Sequence, residues 1–321
     1  MPALKSLNAR LPPLIALALL LCGTAALEVD AQNHVNLTPT PITIEKAANY
    51  GTVRPIYELA FKGVSCMFEL RVNDVLLHTV DSVGGHVSSV LPINVGILQS
   101  GKQQISVKIL PLAGKQVLNP NAEVQYQIRV IDLANLKREE RLLSEYAVVK
   151  VDPAKKEPYL THTTYFDANV PYSIKAYQAG TDLTTVTGLK EKLLDAYKQV
   201  GAIAAKGDAE QLKRLLANSE IIASTTMYAS KEASNERISE FMAILKSGFK
   251  LEPVPANATM KIFANGKLAG LFKPDGSPAL TFINAKKKGE ELSLELSFYI
   301  PKGKTELEAH YCPVKISARR N

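Results

Sequence analysis

The feature that most constrains the fold is a run of alternating apolar and polar residues between Val64 and Pro111. One strand is predicted over Val64–Val72, where every second side chain belongs to a core-facing set, and another over Ile105–Ile109. A period of two places one set of side chains on a buried face and the other on a wetter face. Asn73-Asp74 predicts a tight turn after the first strand, because both residues tolerate left-handed backbone angles.

Further short strands are predicted at 42–44, 56–61, 124–130 and 146–151, with turn residues between them. Regularly spaced short strands favour an antiparallel β-sandwich. The order of strand, Asn-Asp turn, strand, long connection and the Leu98–Gly101 turn resembles the β-sandwich modules of exported bacterial proteins. That resemblance implies a β-sandwich domain over residues 32–180, of a kind that includes both ligand-binding and purely structural modules.

After Thr181 the apolar period becomes helical. Helices are predicted around Leu189–Ala204, after the capping residue Asp208, and around Ile238–Leu245, with antiparallel strands from Met260 onward. Three helices followed by strands resemble the NTF2-like α+β cone, a fold that hosts enzymes, ligand pockets and dimerisation modules. The predicted class is therefore α+β multidomain: an antiparallel β-sandwich, then a helical layer packed on an antiparallel sheet over 181–321.

The N-terminus has the features of an export signal over residues 1–31. Lys5 and Arg10 precede the apolar run Leu14–Leu21, which is too short to span a bilayer. Small-residue cleavage sites follow at 24–26 and at 29–31, and both fit. Lipid attachment at Cys22 is the alternative, although leucines stand where a small residue is required. A periplasmic or extracellular location is expected, with no transmembrane segment after the signal.

Composition and charge indicate a globular protein and argue against nucleic-acid binding. The chain has 321 residues, of which 46% are hydrophobic and 21% charged, which suffices for two globular domains. The formal net charge of +7 is spread along the chain, with small clusters at Lys286–Lys288 and Arg319-Arg320. Nucleic-acid binding is not expected, because a basic stripe with interleaved aromatic residues is missing. The sequence leaves the oligomeric state open.

Two cysteines, Cys66 and Cys312, follow the signal. In an oxidising compartment they could form a disulfide that joins the first domain to the C-terminus. A buried free thiol at Cys66 is the competing interpretation, because this residue lies on the apolar phase of its strand.

No known catalytic, nucleotide-binding or zinc motif is present, and no cofactor is expected. Asp74, His78, Asp81 and His86 form the best metal-ligand candidate, because imidazoles and carboxylates bind transition metals. Their spacing matches no standard site, and solvated loop residues are the competing interpretation.

Ligand-binding candidates come from two places. Tyr159, His162, Tyr165 and Tyr172 belong to an aromatic-rich stretch that predicts either a ligand surface or the packing of a domain boundary. In the second half, Tyr197 and His310 are candidates for an NTF2-like pocket.

Three functions compete. The first is a non-enzymatic exported protein that binds another protein or a cell-envelope component, for example an immunity-type inhibitor of a toxin. The second is a small-ligand carrier or enzyme that uses the C-terminal domain. The third is a carbohydrate-binding module that uses Tyr159, Tyr165 and Tyr172.

Overall fold

A computed structural model describes residues 35–46, 53–80, 85–135, 141–310 and 314–318. The described part is a mostly β fold of the α+β class, with several antiparallel sheets and four α-helices, which confirms the predicted class at this level. All described residues belong to one compact unit.

Eleven strands of the described chain precede the first α-helix. They are β1 Thr43–Lys46, β2 Pro55–Val64, β3 Met67–Val72, β4 Val75–Val80, β5 His86–Pro92, β6 Gly101–Leu110, β7 Glu123–Asp132, β8 Arg141–Leu142, β9 Ala147–Lys150, β10 Leu160–Ala168 and β11 Tyr172–Lys175. The helices are α1 Leu189–Lys206, α2 Ala209–Leu215, α3 Ala217–Thr226 and α4 Lys231–Lys246. The remaining strands are β12 Phe249–Leu251, β13 Thr259–Phe263, β14 Leu268–Phe272, β15 Leu280–Asn284, β16 Glu290–Leu294, β17 Phe298–Tyr299, β18 Glu308–Ala309 and β19 Val314–Ala318.

The first half of the described chain has two large antiparallel sheets and a separate two-stranded sheet of β1 and β11. The first sheet has the order β5-β2-β7, with β8 and β9 both paired to β7, and the second sheet has the order β10-β6-β3-β4. Aromatic rings of the two sheets contact each other: Tyr57 lies 5.7 Å from Phe166, and Phe61 lies 5.6 Å from Phe68, centroid to centroid. Their apolar faces therefore share one hydrophobic cluster.

The predicted strand Val64–Val72 is wrong at its start. β2 ends at Val64, and β3 begins only at Met67 in the other sheet. Ser65 has a φ of 53°, a left-handed conformation that interrupts an extended strand. The Asn73-Asp74 turn is confirmed: both φ angles are positive, 51° and 61°, as a two-residue hairpin requires.

The second half has two further four-stranded antiparallel sheets, β12-β15-β16-β19 and β13-β14-β17-β18. The prediction of three helices is wrong, because the described part of 181–321 has four. Leu216 is both the C-cap residue of α2 and the N-cap residue of α3, so the two helices follow each other directly. The apolar pattern of α3 is weak, since it carries buried Asn218, Ser219 and Thr226, and helical periodicity therefore does not reveal it.

The domain boundary at residue 180 stays a prediction, and buried contacts cross that position. Phe263, Leu268 and Tyr299 belong to the same hydrophobic cluster as the first two sheets. The amide of Asn94 is fully buried and donates to Pro55 O and to Thr226 O, which connects β2 to α3.

An ionic network also joins the two halves. The Glu69 carboxylate on β3 is almost completely buried, with Lys261 Nζ of β13 at 2.7 Å and Arg71 NH2 at 2.9 Å. The other Arg71 nitrogen lies 2.9 Å from Asp74 Oδ1. Burial alone would raise the pKa of Glu69, but the charges and hydrogen bonds of Lys261 and Arg71 outweigh it and hold that pKa below its usual value. The ionised carboxylate therefore stabilises the fold above its usual pKa, and this contribution is lost as the pH falls.

We predict that Glu69→Gln lowers the free energy of unfolding by about 2 kcal/mol, because it removes the carboxylate that pairs with the partly buried Lys261 and leaves Arg71 paired with Asp74 alone. Urea denaturation monitored by circular dichroism measures the change. Lys155→Ala is the control: it breaks an exposed pair with Asp152 and should cost less than about 0.5 kcal/mol. Equal losses in the two variants would contradict a special role for Glu69.

Candidate functional site

An open groove of about 530 Å³ lies where four segments meet. These segments are the Asn73 turn, the loop from Gly96 to Gln103, residues 174–179, and the β13–β14 connection. Lys102, Lys175 and Lys267 line it, and none of its described lining residues is Asp or Glu. We call this feature the lysine groove. Its volume is in the range of ordinary ligand sites.

Amide side chains bonded to the backbone build one wall of the lysine groove. Asn73 Nδ2 donates to Gly96 O at 2.8 Å and to Gln103 Oε1 at 2.7 Å, while Asn73 Oδ1 accepts from Gln104 N. Gln103 Nε2 in turn donates to the carbonyl oxygens of Gln99 and Gly101. Each amide is fixed by more than one bond, so this wall is preorganised rather than adaptable.

The opposite rim is the connection between β13 and β14. Ala264, Asn265 and Gly266 have consecutive positive φ angles of 55°, 54° and 83°. In the sequence, Asn265-Gly266 predicts a two-residue hairpin. That prediction is wrong in length, because Phe263 pairs with Leu268 and the connection has four residues. A left-handed Ala is strained.

Contacts on both sides hold this strained rim in place. Ala264 N donates to Asp74 O, and Asn265 N donates to Asp74 Oδ2, each at 2.9 Å. Leu183 N donates to Gly266 O, and a Cβ on Gly266 would lie only 2.7 Å from Asp182 Oδ1. Glycine is therefore required at this position.

The three lysines have different restraints. Lys267 Nζ donates to the carbonyl oxygen of Gly180 at 3.0 Å, an acceptor that carries no negative charge. Lys175 pairs with the exposed Glu45 of β1. Lys102 Nζ lies 4.3 Å from the centroid of the Tyr165 ring. The amide N–H groups of the wall are already bonded within the protein, so the groove offers mainly positive charge, which suits an anionic ligand.

The aromatic candidates separate into exposed and buried residues. Tyr159 and Tyr165 are 53% and 55% exposed, whereas Tyr172 is 4% exposed and belongs to the first hydrophobic cluster. His162 Nδ1 lies 2.9 Å from Tyr126 OH, and burial raises the pKa of that tyrosine to about 12. The structure therefore leaves Tyr159 and Tyr165 open to a ligand and uses Tyr172 in packing.

Tyr197 has its hydroxyl fixed by the backbone. It donates to Leu296 O at 2.7 Å and accepts from Leu271 N at 2.8 Å. Its side chain is fully buried in the second hydrophobic cluster, and Tyr197 does not line the lysine groove.

His310 is buried against two tyrosine rings, with centroids 4.6 Å away at Tyr177 and 6.5 Å away at Tyr299. Its Nδ1 has no hydrogen-bond partner. Burial lowers the pKa of its ring from 6.5 to about 3, so the ring is neutral at physiological pH. Burial also raises the pKa of both tyrosines above its usual value.

Beside His310 lies a buried carboxylate that the sequence did not reveal. Glu308 Oε1 accepts from Asn36 Nδ2 at 3.0 Å, from Thr40 N at 2.9 Å and from Thr40 Oγ1 at 2.8 Å, while Tyr299 OH donates to Oε2 at 2.8 Å. Asn36 and Thr40 lie in the first described segment of the chain, and Val35 bridges to Leu307. This carboxylate therefore anchors an early segment to a late strand.

The metal candidates have other roles where they are described. Asp74 pairs with Arg71, His78 lies 5.9 Å from the ring of Phe61, and His86 is exposed at the start of β5. Asp81 lies outside the described residues. Within the described ranges no three His, Cys, Asp or Glu side chains are grouped closely enough to hold a metal ion.

Cys66 is a buried free thiol whose Sγ lies 3.8 Å from Glu123 O, and burial raises its pKa to about 11. Cys312 lies outside the described residues, so its pairing with Cys66 stays a prediction. Cys22 and the whole export signal also lie outside them. No helix in the described ranges combines the length and the hydropathy needed to cross a bilayer.

Comparisons with known proteins add no identity: no protein family, curated protein or solved structure matches this chain significantly. Sequence reasoning did not find the lysine groove, because its lysines are far apart in the chain. In the sequence, the turn dipeptides Asn73-Asp74 and Asn265-Gly266 are the only recognisable features that belong to this site.

We predict that His310→Phe flattens the dependence of stability on pH. In the parent, the unfolded chain binds a proton at His310 below pH 6.5 while the folded chain does not, so stability falls between pH 6.5 and about 3. In the variant, the slope of the unfolding free energy against pH should be smaller by up to about 1.4 kcal/mol per pH unit. Urea denaturation at pH 6.5, 5.5 and 4.5 measures it.

The exposed His86→Asn variant is the control and should retain the parent's slope. An unchanged slope in His310→Phe would show that His310 of the parent takes up its proton equally in the folded and the unfolded chain.

Proposed function

We propose that the protein is a non-enzymatic binding protein, exported from the cytoplasm, that holds an anionic component of the cell envelope in the lysine groove. One observation carries this proposal. Lysines from three distant segments, Lys102, Lys175 and Lys267, line one open groove whose described lining has no carboxylate. A surface lined by one sign of charge concentrates ligands of the opposite sign, so this grouping favours an anionic ligand even though Lys175 also pairs with Glu45.

The construction of the groove supports binding rather than turnover. Its wall of Asn73 and Gln103 is fixed by internal hydrogen bonds, and its rim is held in a strained left-handed conformation. Backbone strain is often found at ligand sites, where the surrounding structure maintains it. The described lining contains neither His nor Cys, and the hydroxyl of its Ser100 is bonded to the backbone of Val170.

The competing enzyme or carrier hypothesis loses its named residues. Tyr197 has its hydroxyl bonded to the backbone, and His310 is packed between rings. Neither side chain lines the groove. We retain the NTF2-like cone and the β-sandwich as proposals for the finer architecture of the two halves.

Export and the envelope location are supported by sequence alone. The basic residues Lys5 and Arg10, the apolar run Leu14–Leu21 and the small residues after it have the order of a signal peptide. An anionic envelope component is the ligand class that this location would offer to a lysine-lined groove.

We predict that the triple variant Lys102→Gln, Lys175→Gln and Lys267→Gln binds fluorescein-labelled poly-L-glutamate about tenfold more weakly than the parent. A loss of about 0.5 kcal/mol per lysine sums to this factor. Fluorescence anisotropy titration at fixed ionic strength measures the affinity, because charge contacts weaken with salt.

The matched control removes the same charge elsewhere: Lys286→Gln, Lys287→Gln and Lys288→Gln, in the connection between β15 and β16. It should bind like the parent. If both triple variants lose affinity equally, the binding reports net charge, and the groove is not the site.

A further inference from the structure

A flat, exposed strip runs along the outward face of β10. Tyr159, Thr161, Thr163 and Tyr165 follow one another at every second position, and all four are exposed. Tyr159 and Tyr165 are six residues apart, which is about 20 Å along an extended chain. β10 is the edge strand of the second sheet, so this strip is open on one side.

Each tyrosine of the strip has a lysine over its ring. Lys108 Nζ lies 4.7 Å from the Tyr159 centroid, and Lys102 Nζ lies 4.3 Å from the Tyr165 centroid. Both lysines come from β6, the neighbouring strand. The cation–π contacts orient the rings and leave a positive charge beside each of them.

Between the two tyrosines the strip has hydroxyl and amide groups. In the β10–β6 register, Thr161 lies opposite Lys108, Thr163 opposite Ser106, and Tyr165 opposite Gln104. A surface for a protein partner has an apolar core inside a polar rim. This strip has the reverse order, with aromatic rings at its ends and hydroxyls in its middle.

The strip is continuous with the lysine groove, because Lys102 belongs to both. A linear ligand that leaves the groove at Lys102 would meet Tyr165 first and Tyr159 last. Asp167, opposite Lys102 in the register, is the exposed carboxylate at the groove end of β10.

We propose that the ligand is an acidic polysaccharide whose chain extends from the lysine groove across this strip to Tyr159; this inference rests on the proposed function of the groove. Sugar rings present flat C–H faces that stack on tyrosine, and their hydroxyls match Thr161, Thr163 and Ser106. Their carboxylates or sulfates match Lys102 and Lys108. A length of about 20 Å accommodates several sugar units, so occupation of the strip requires a chain rather than a single sugar.

The test compares a long and a short ligand on the full chain. Affinity electrophoresis through gels of polygalacturonate, alginate and hyaluronan, with neutral dextran as a reference, identifies the acidic polymer that retards the parent. For polygalacturonate, the short ligand is trigalacturonate, measured by calorimetry. Tyr159→Ala with Tyr165→Ala should weaken polymer binding at least tenfold and leave trigalacturonate binding unchanged.

Tyr146→Ala is the matched control, because Tyr146 is 54% exposed and lies outside the strip. It should bind the polymer like the parent. If the double alanine variant unfolds, Thr161→Glu is the second variant: it places a carboxylate in the middle of the strip and should repel the polymer, again with trigalacturonate unaffected.

The outcomes separate the strip from the groove. Parent-like polymer binding by the strip variants overturns the present inference, while loss of trigalacturonate binding in Lys175→Gln with Lys267→Gln still supports the groove. If this lysine pair leaves trigalacturonate binding unchanged, the groove proposal fails, whatever the strip does. Retardation by dextran equal to that by the acidic polymers overturns the acidic class, and so does retardation by none of the polymers.

Discussion

The two halves of this protein depend on one buried charge. Glu69 on β3 is nearly excluded from water, and it accepts from Lys261 of β13 on one side and from Arg71 on the other. An unpaired carboxylate at this depth would be costly, and Lys261 of the docked β13–β14 hairpin supplies one of the two cations that compensate it. The same docking brings Ala264 and Asn265 to Asp74 and thereby forms the rim of the lysine groove. The ionic network and the groove are consequences of the same contact.

The sequence predicts what short-range pattern can encode. Strand β6, the Asn73-Asp74 turn, helix α1 and the capping of α2 by Asp208 follow from alternation, from turn chemistry and from helical period. The errors arise where a local conformation interrupts a pattern. The left-handed Ser65 divides an apparently continuous strand between two sheets, and α3 has buried polar residues where an amphipathic helix would have apolar ones.

The site is less predictable than the fold, since its members come together only through tertiary contacts. Lys102, Lys175 and Lys267 have no common spacing in the chain, and nothing near Glu308 indicates that Asn36 and Thr40 will donate to it. The aromatic candidates are exposed or buried according to their position in the sheets. Tyr165 on the edge strand β10 and Tyr159 just before it are exposed, while Tyr172 lies on β11, which pairs with β1, and its ring contacts Tyr228. Composition left both a ligand surface and the packing of a domain boundary open, and the position of each ring in the sheets decides which of them are exposed.

The hydrogen bond between Asn36 and Glu308 spans 272 residues of sequence. Glu308 is synthesised 272 residues after Asn36, so the segment around Asn36 lacks this acceptor until β18 has been made. Docking of that segment is therefore coupled to the arrival of β18, and a chain truncated before Glu308 would present a loose segment around Asn36 that proteases can recognise.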